Sequence, residues 1–335
     1  MVGVSRVAQG IETVIGGIND YNGGPLQPEA LRQFILQQKQ MGSRIVDETL
    51  KQLLPLPLHR RVFKAASSGE FAHGLEACSG VGGFGAVLGR SISETLGIAP
   101  QNNGTRPGAE WAGLWNLLVA YFDDLCDEYR ALFPKLMEHI SSDALKLSLT
   151  IHSGHRLSPD PGDHELLQFV VYVADEVFSR MRKHGEEISR SDYRWLAQSV
   201  MTAYRAEVAS ADLRFSRNHS LKNAHNCLRC SNSLPVWILG NGAALADGTS
   251  DSAGQLDSAL HHVGDILWYW DDLVDLEDDV GTDRWNAALL VAADTFGPGI
   301  VDHLLRLDPE KRIEWVYQNK ADEILADRLL NSYVN

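Results

Sequence analysis

Apolar positions recur every three to four residues through nearly every long segment of the chain, and the strict alternation of half-buried strands is almost absent. That pattern predicts a mainly α protein. Clusters of Gly, Pro, Asn and Asp interrupt it at Asn22-Gly23-Gly24-Pro25, Leu54-Pro55-Leu56-Pro57, residues 100–108, Ser158-Pro159-Asp160-Pro161-Gly162, residues 240–254 and Gly297-Pro298-Gly299. These are read as loops between helices. Asp308-Pro309-Glu310 has the N-cap and first-turn chemistry of a helix start and leads into a final amphipathic segment carrying Trp315 and Leu325. No short repeat and no linker stands out, so residues 1–335 are read as one all-α domain.

Two of the apolar stripes run into acid. Trp111, Trp115, Val119 and Asp123 follow one another at four-residue spacing, and Gly264, Leu267, Asp271 and Asp275 repeat the arrangement. The clusters they reach, Asp123-Asp124-Leu125-Cys126-Asp127 and Asp271-Asp272-Leu273-Val274-Asp275, both read Asp-Asp-x-x-Asp. On a helix the first and last aspartate of each share a face. A single such cluster is usually a solvated face. Six carboxylates at the rim of an apolar wall would repel one another strongly unless divalent cations sat between them, and magnesium prefers carboxylate and phosphate oxygens. Asp123, Asp124, Asp127, Asp271, Asp272 and Asp275 are therefore the expected metal ligands, on facing helices of an enzyme that acts on a diphosphate.

Charge narrows the partners. A net charge of −14 without any basic tract argues against nucleic acid, and an anionic substrate would then need metal. No apolar run reaches the ~18 residues of a membrane span. Glu12 interrupts the N-terminal stretch where a secretory signal would be apolar, so a cytoplasmic protein is expected. Four cysteines are too few for a disulfide framework in 335 residues. Cys227-Leu228-Arg229-Cys230 has zinc-knuckle spacing but no second pair at matching distance. Gly80-Val81-Gly82-Gly83-Phe84-Gly85 fits a loose dinucleotide-loop pattern but follows no strand, which favours a close helix contact or a turn.

The stretch His262 to Asp275, in which a Gly-containing helix runs into Asp-Asp-x-x-Asp, together with the first motif, resembles the class I isoprenoid synthases. Within them it resembles terpene synthases that keep a second motif like that of the all-trans polyprenyl synthases. The resemblance implies an isoprenoid-synthase-type helical bundle around a deep apolar cavity. It also implies three Mg2+ ions, with Mn2+ able to substitute, and an allylic prenyl diphosphate substrate. Arg229 stands where the family carries a diphosphate-gripping lysine, with Lys222 and Arg217 as neighbouring candidates. Two cationic elements of chain-elongating relatives are absent. Gly82-Gly83-Phe84-Gly85-Ala86-Val87 stands where a basic segment would hold a second diphosphate, and Leu132-Phe133 stands where an Arg-Arg pair would follow the first motif. A reaction on one diphosphate is therefore expected, with Asp123, Asp271 and Arg229 as the catalytic residues.

The resemblance further implies a dry aromatic cup for a carbocation, with Trp115, Phe122, Trp237, Trp268 and Tyr269 as lining, although ordinary core packing explains any one of them as well. Leu118 and Val119, one turn before the first motif, with Trp115 deeper, suit a C15 or C20 chain. The leading reading is a terpene cyclase. A prenyltransferase that joins an allylic diphosphate to an acceptor is the alternative, and a non-catalytic helical regulatory subunit the remote one. The resembled fold is often dimeric, which leaves a homodimer open.

Overall fold

The computed structural model describes residues 28–54, 75–98, 106–127, 131–140, 156–187, 190–214, 220–248 and 252–334. The punctuation at Asn22–Pro25 and Pro55–Pro57 lies outside them. In chain order the helices are α1 (Pro28–Leu53), α2 (Leu75–Thr95), α3 (Pro107–Asp127), α4 (Phe133–Ile140), α5 (Glu165–Glu187), α6 (Arg190–Ser210) and α7 (Leu221–Leu228). After a π-helical turn, Arg229–Ser233, come α8 (Leu234–Ala246), α9 (Ser252–Val274), α10 (Leu276–Gly281) and α11 (Ala287–Phe296). The chain finishes with α12 (Gly299–Leu304), α13 (Pro309–Gln318) and α14 (Ala321–Val334). The expected all-α character holds: among the described residues there is no strand, only an isolated bridge between Arg214 and Arg284. No helix among them is long and apolar enough to cross a membrane.

By compactness the chain falls into two units, and their boundaries lie within or beside helices rather than in a linker. The first comprises Glu29–Thr202 and Ile238–Asp257. Glycine inside a helix costs roughly 1 kcal/mol relative to alanine, so the glycine-rich α2 needs a compensating contact. It has two. Gly83 lies against the backbone of Gly42 and Ser43 on α1, and a Cβ at Gly85 would stand 2.5 Å from the Ala112 carbonyl oxygen of α3. Gly89 meets Ala112 and Gly108 in the same way, and Asn116 donates to the Val81 carbonyl at 2.7 Å. The Gly-x-Gly-x-x-Gly segment is thus a helix-packing surface.

Helix α3 starts at Pro107, inside the predicted 100–108 loop, because proline suits the first helical position. The Gly108 N–H behind it donates to Asp247 Oδ1 at 2.8 Å, and the Ser93 hydroxyl binds the other oxygen of that carboxylate. The predicted 240–254 loop is shorter than expected: α8 continues to Ala246, with Gly240 and Gly242 inside it. Gly242 lies against the Trp111 ring, so this glycine makes room for an indole and does not end the helix.

The second unit comprises Ala203–Trp237 and Ser258–Asn335. At its centre is α11, whose residues from Ala287 to Ala293 are all buried, with α7, α12, α13 and α14 packed around it. A helix apolar on every side belongs in a core. Asp308 caps α13 as predicted, accepting from the Lys311 N–H at 3.0 Å with Pro309 at the first position. The final segment is two helices and not one. It breaks at Asn319-Lys320, where Lys320 has φ 59.

Gly85→Ala is expected to lower unfolding free energy by about 1–3 kcal/mol through overpacking against α3. Gly162→Ala, with nothing within 4 Å of a new Cβ, should stay within about 0.5 kcal/mol. Urea denaturation measures both, and equal effects would contradict the α2–α3 packing.

Candidate functional site

Along α3 the predicted stripe climbs out of the core. Trp111 and Trp115 are buried, with rings stacked at 5.7 Å between centroids, and the Trp111 indole N–H donates to the Val177 carbonyl at 3.4 Å. Leu118 and Phe122 are buried, Val119 is half-buried, and Asp123 is exposed. The first carboxylate therefore appears where the apolar face meets solvent. It stands near the C-terminal end of a helix with no basic residue in its last turn. The side chains of Asp124 and Asp127 lie outside the described residues.

The same progression runs along α9. Gly264 is buried against Ser233 of the π turn, Leu267 is half-buried, and Asp271 is exposed in a last turn that again holds no basic residue. The helix ends at Val274, one residue short of the expected ladder. Asp275 is the junction with α10, at φ −93 and ψ 6, and its N–H still reaches the Asp271 carbonyl at 3.0 Å. Asp271 and Asp275 share a terminal turn and not an uninterrupted helix. Burial pushes the Asp275 carboxyl up, and Asp278 adds to this while Arg284 opposes it.

Asp272 differs from its neighbours. It is buried, and its Oδ2 accepts from the Trp268 indole N–H at 3.0 Å and from the Ala287 backbone N–H at 2.5 Å. Ala287 is the first residue of α11, whose leading N–H groups have no partner within the helix. Asn286 supplies the next cap, accepting from the Ala288 N–H at 2.9 Å. Its amide donates to the Asp272 carbonyl at 2.7 Å and to Asp279 at 2.9 Å. Burial raises the Asp272 pKa well above the usual carboxylate range; the Ala287 N–H opposes that, and the Asp279 and Asp271 charges reinforce it. The second motif thus sends one carboxylate inward to the fold and two outward.

Arg229 opens the π turn. Its Nε lies 3.4 Å from Asp265 of α9, a carboxylate that also accepts from the Ser233 hydroxyl at 2.7 Å. About half of the arginine side chain is exposed. Lys222 is exposed on α7, and Arg217 lies outside the described residues. Trp237 is buried and stacks on His261 at 5.7 Å, while buried Trp268 packs on Tyr269 at 5.0 Å and meets the His225 ring edge-on. These expected lining residues all make core contacts. Burial, with Asp265 nearby, raises the Tyr269 hydroxyl. At the zinc-knuckle spacing, burial and then Glu207 push the Cys227 thiol up to about 11, and burial raises Cys230.

One group escaped the sequence reading. His139, Asp160 and Asp163 bring three ligand atoms within 4.8 Å of one another and could hold a metal ion. Asp160 and Asp163 flank Pro161-Gly162, whose only signal in sequence is a turn, and His139 comes from a helix some twenty residues earlier.

Asp272→Ala is expected to destabilise the protein by about 1–3 kcal/mol, because it strands two buried N–H donors. Asp271→Ala should change stability by no more than about 0.5 kcal/mol. Chemical denaturation of the two variants distinguishes them, and matched losses would contradict the inward and outward roles. Compared with known proteins, the chain matches no family model, no curated protein and no solved structure at a significant level.

Proposed function

We propose that the protein is a class I terpene synthase that ionises one allylic prenyl diphosphate, C15 or C20 in chain length, and cyclises the resulting carbocation. The observation that carries this reading is the placement of the two acidic motifs. Each lies at the C-terminal end of a long helix, with its first carboxylate exposed and no basic residue in the last turn. That end of a helix carries a partial negative charge, so each added carboxylate costs about 0.3–1 kcal/mol. Bound divalent cations would reverse the sign of that interaction. The donor set, all carboxylate oxygen, suits Mg2+ or Mn2+.

In this reading Asp123, with Asp124 and Asp127, and Asp271 with Asp275 hold the metal, and Asp272 fixes the turn that presents the second pair. Bound Mg2+, three ions in the resembled family, would neutralise the diphosphate leaving group as the C–O bond breaks. Arg229 would donate two parallel hydrogen bonds to the departing diphosphate, and its half-exposed guanidinium has the freedom to do so. Trp115, Leu118, Val119, Phe122, Trp237 and Trp268 would form the apolar surroundings that exclude water from the cation. The burial of Gly82, Gly83 and Gly85 within the α2 packing surface supports a reaction on one diphosphate, since no anion-binding loop exists there.

The test is incubation with geranyl, farnesyl, geranylgeranyl or geranylfarnesyl diphosphate and Mg2+, followed by mass spectrometry of the products. Terpene hydrocarbon or alcohol from the C15 or C20 substrate alone is expected. Asp123→Ala and Asp271→Ala should each reduce turnover by about a thousandfold, roughly 4 kcal/mol in the barrier, with the fold intact. Product that forms only when an acceptor is added would indicate a prenyltransferase. Full activity in either variant would remove the metal roles.

A further inference from the structure

We propose that His139, Asp160 and Asp163 form a binding site for one divalent transition-metal ion of the zinc class, separate from the two acidic motifs. Helix α4 carries Lys135 and His139 on one face, four residues apart, and the Asp160-Pro161-Gly162-Asp163 turn brings two carboxylates to it. The Asp163 side chain is fully buried. One of its oxygens, Oδ1, is taken by the Lys135 ammonium, and the other lies 2.7 Å from His139 Nε2. The Asp160 N–H reaches that same Oδ2 at 3.0 Å and steadies it.

Three donors, one imidazole nitrogen and two carboxylate oxygens, lie within 4.8 Å of one another. A tetrahedral ion with bonds of about 2.0–2.2 Å sets its ligands roughly 3.4 Å apart, so closure needs only small side-chain shifts. Imidazole selects zinc, cobalt or a similar ion over the magnesium suited to the all-carboxylate motifs. Lys135 contacts Oδ1, as outer-shell partners of ligating carboxylates do, and an ion bound at Oδ2 would replace the direct His139 contact there with a shared bond to both side chains. Asp160 is exposed, which gives the ion a path from solvent and leaves the fourth position to water.

The experiment is titration of the full chain with Co2+, read by visible absorption in a tenfold excess of Mg2+. One equivalent with the intense bands of low-coordinate cobalt is expected, and the same result in an Asp123→Ala/Asp271→Ala double variant. Asp160→Asn, at an exposed position that should not disturb the fold, and His139→Ala should each weaken binding at least tenfold, with circular dichroism unchanged for the former. Absence of saturable Co2+ binding, or equal affinity in Asp160→Asn, would overturn the proposal. Neither result depends on terpene synthase activity.

Discussion

The buried carboxylate of Asp272 decides how the second acidic motif is presented. Helix α11 runs through the core of its unit, so its first N–H groups cannot turn to water, and an unpartnered buried donor costs about 1–3 kcal/mol. Asp272 meets the first of them and Asn286 the second. Asn286 also grips the backbone of Asp272 and the side chain of Asp279, which ties the end of α9, the short α10 and the start of α11 into one polar knot. The middle carboxylate is committed inward, while Asp271 and Asp275 stand exposed.

Aspartate serves opposite electrostatic purposes at the two ends of helices in this chain. At the N-termini of α3, α11 and α13, Asp247, Asp272 and Asp308 accept hydrogen bonds from leading N–H groups and lie where the helix dipole favours negative charge. At the C-termini of α3 and α9 the same residue type stands where the dipole disfavours it, and no lysine or arginine in the last turn offsets the charge. The first arrangement is explained by stability alone. The second is the arrangement to which the proposed metal site would give a purpose.

The helical fold is legible in the spacing of apolar residues, and so is the Asp308 cap, because each rests on neighbours in sequence; the α2 glycines are legible only as a close helix contact or a turn, since their partners lie on α1 and α3. What the sequence conceals depends on distant partners. Gly240 and Gly242 look like punctuation until Trp111, some 130 positions earlier, is seen to fill the space that Gly242 leaves. Asp272 looks like a ligand equal to Asp271 until the α11 N-terminus folds back onto it. The end of α9 at Val274 follows from that same knot, which no local propensity encodes. His139 and Asp163 are an ordinary helix residue and an ordinary turn residue until the fold sets them 2.7 Å apart.

Arg229 shows why a weak contact fits the proposed chemistry better than a strong one. Its contact with Asp265 is long, at 3.4 Å, and half open to solvent, so it contributes little to stability, within the range of about 0–1 kcal/mol for exposed pairs. The Ser233 hydroxyl already satisfies the same carboxylate oxygen at 2.7 Å, so Asp265 would not be stranded if the guanidinium left. A π turn inserts one extra residue at this point, and close contact between Ser233 and Gly264 holds the turn against α9. The backbone under Arg229 is thus fixed while its side chain is only loosely held. An arginine held in this way can exchange a single carboxylate for a doubly charged phosphate at small cost to the fold.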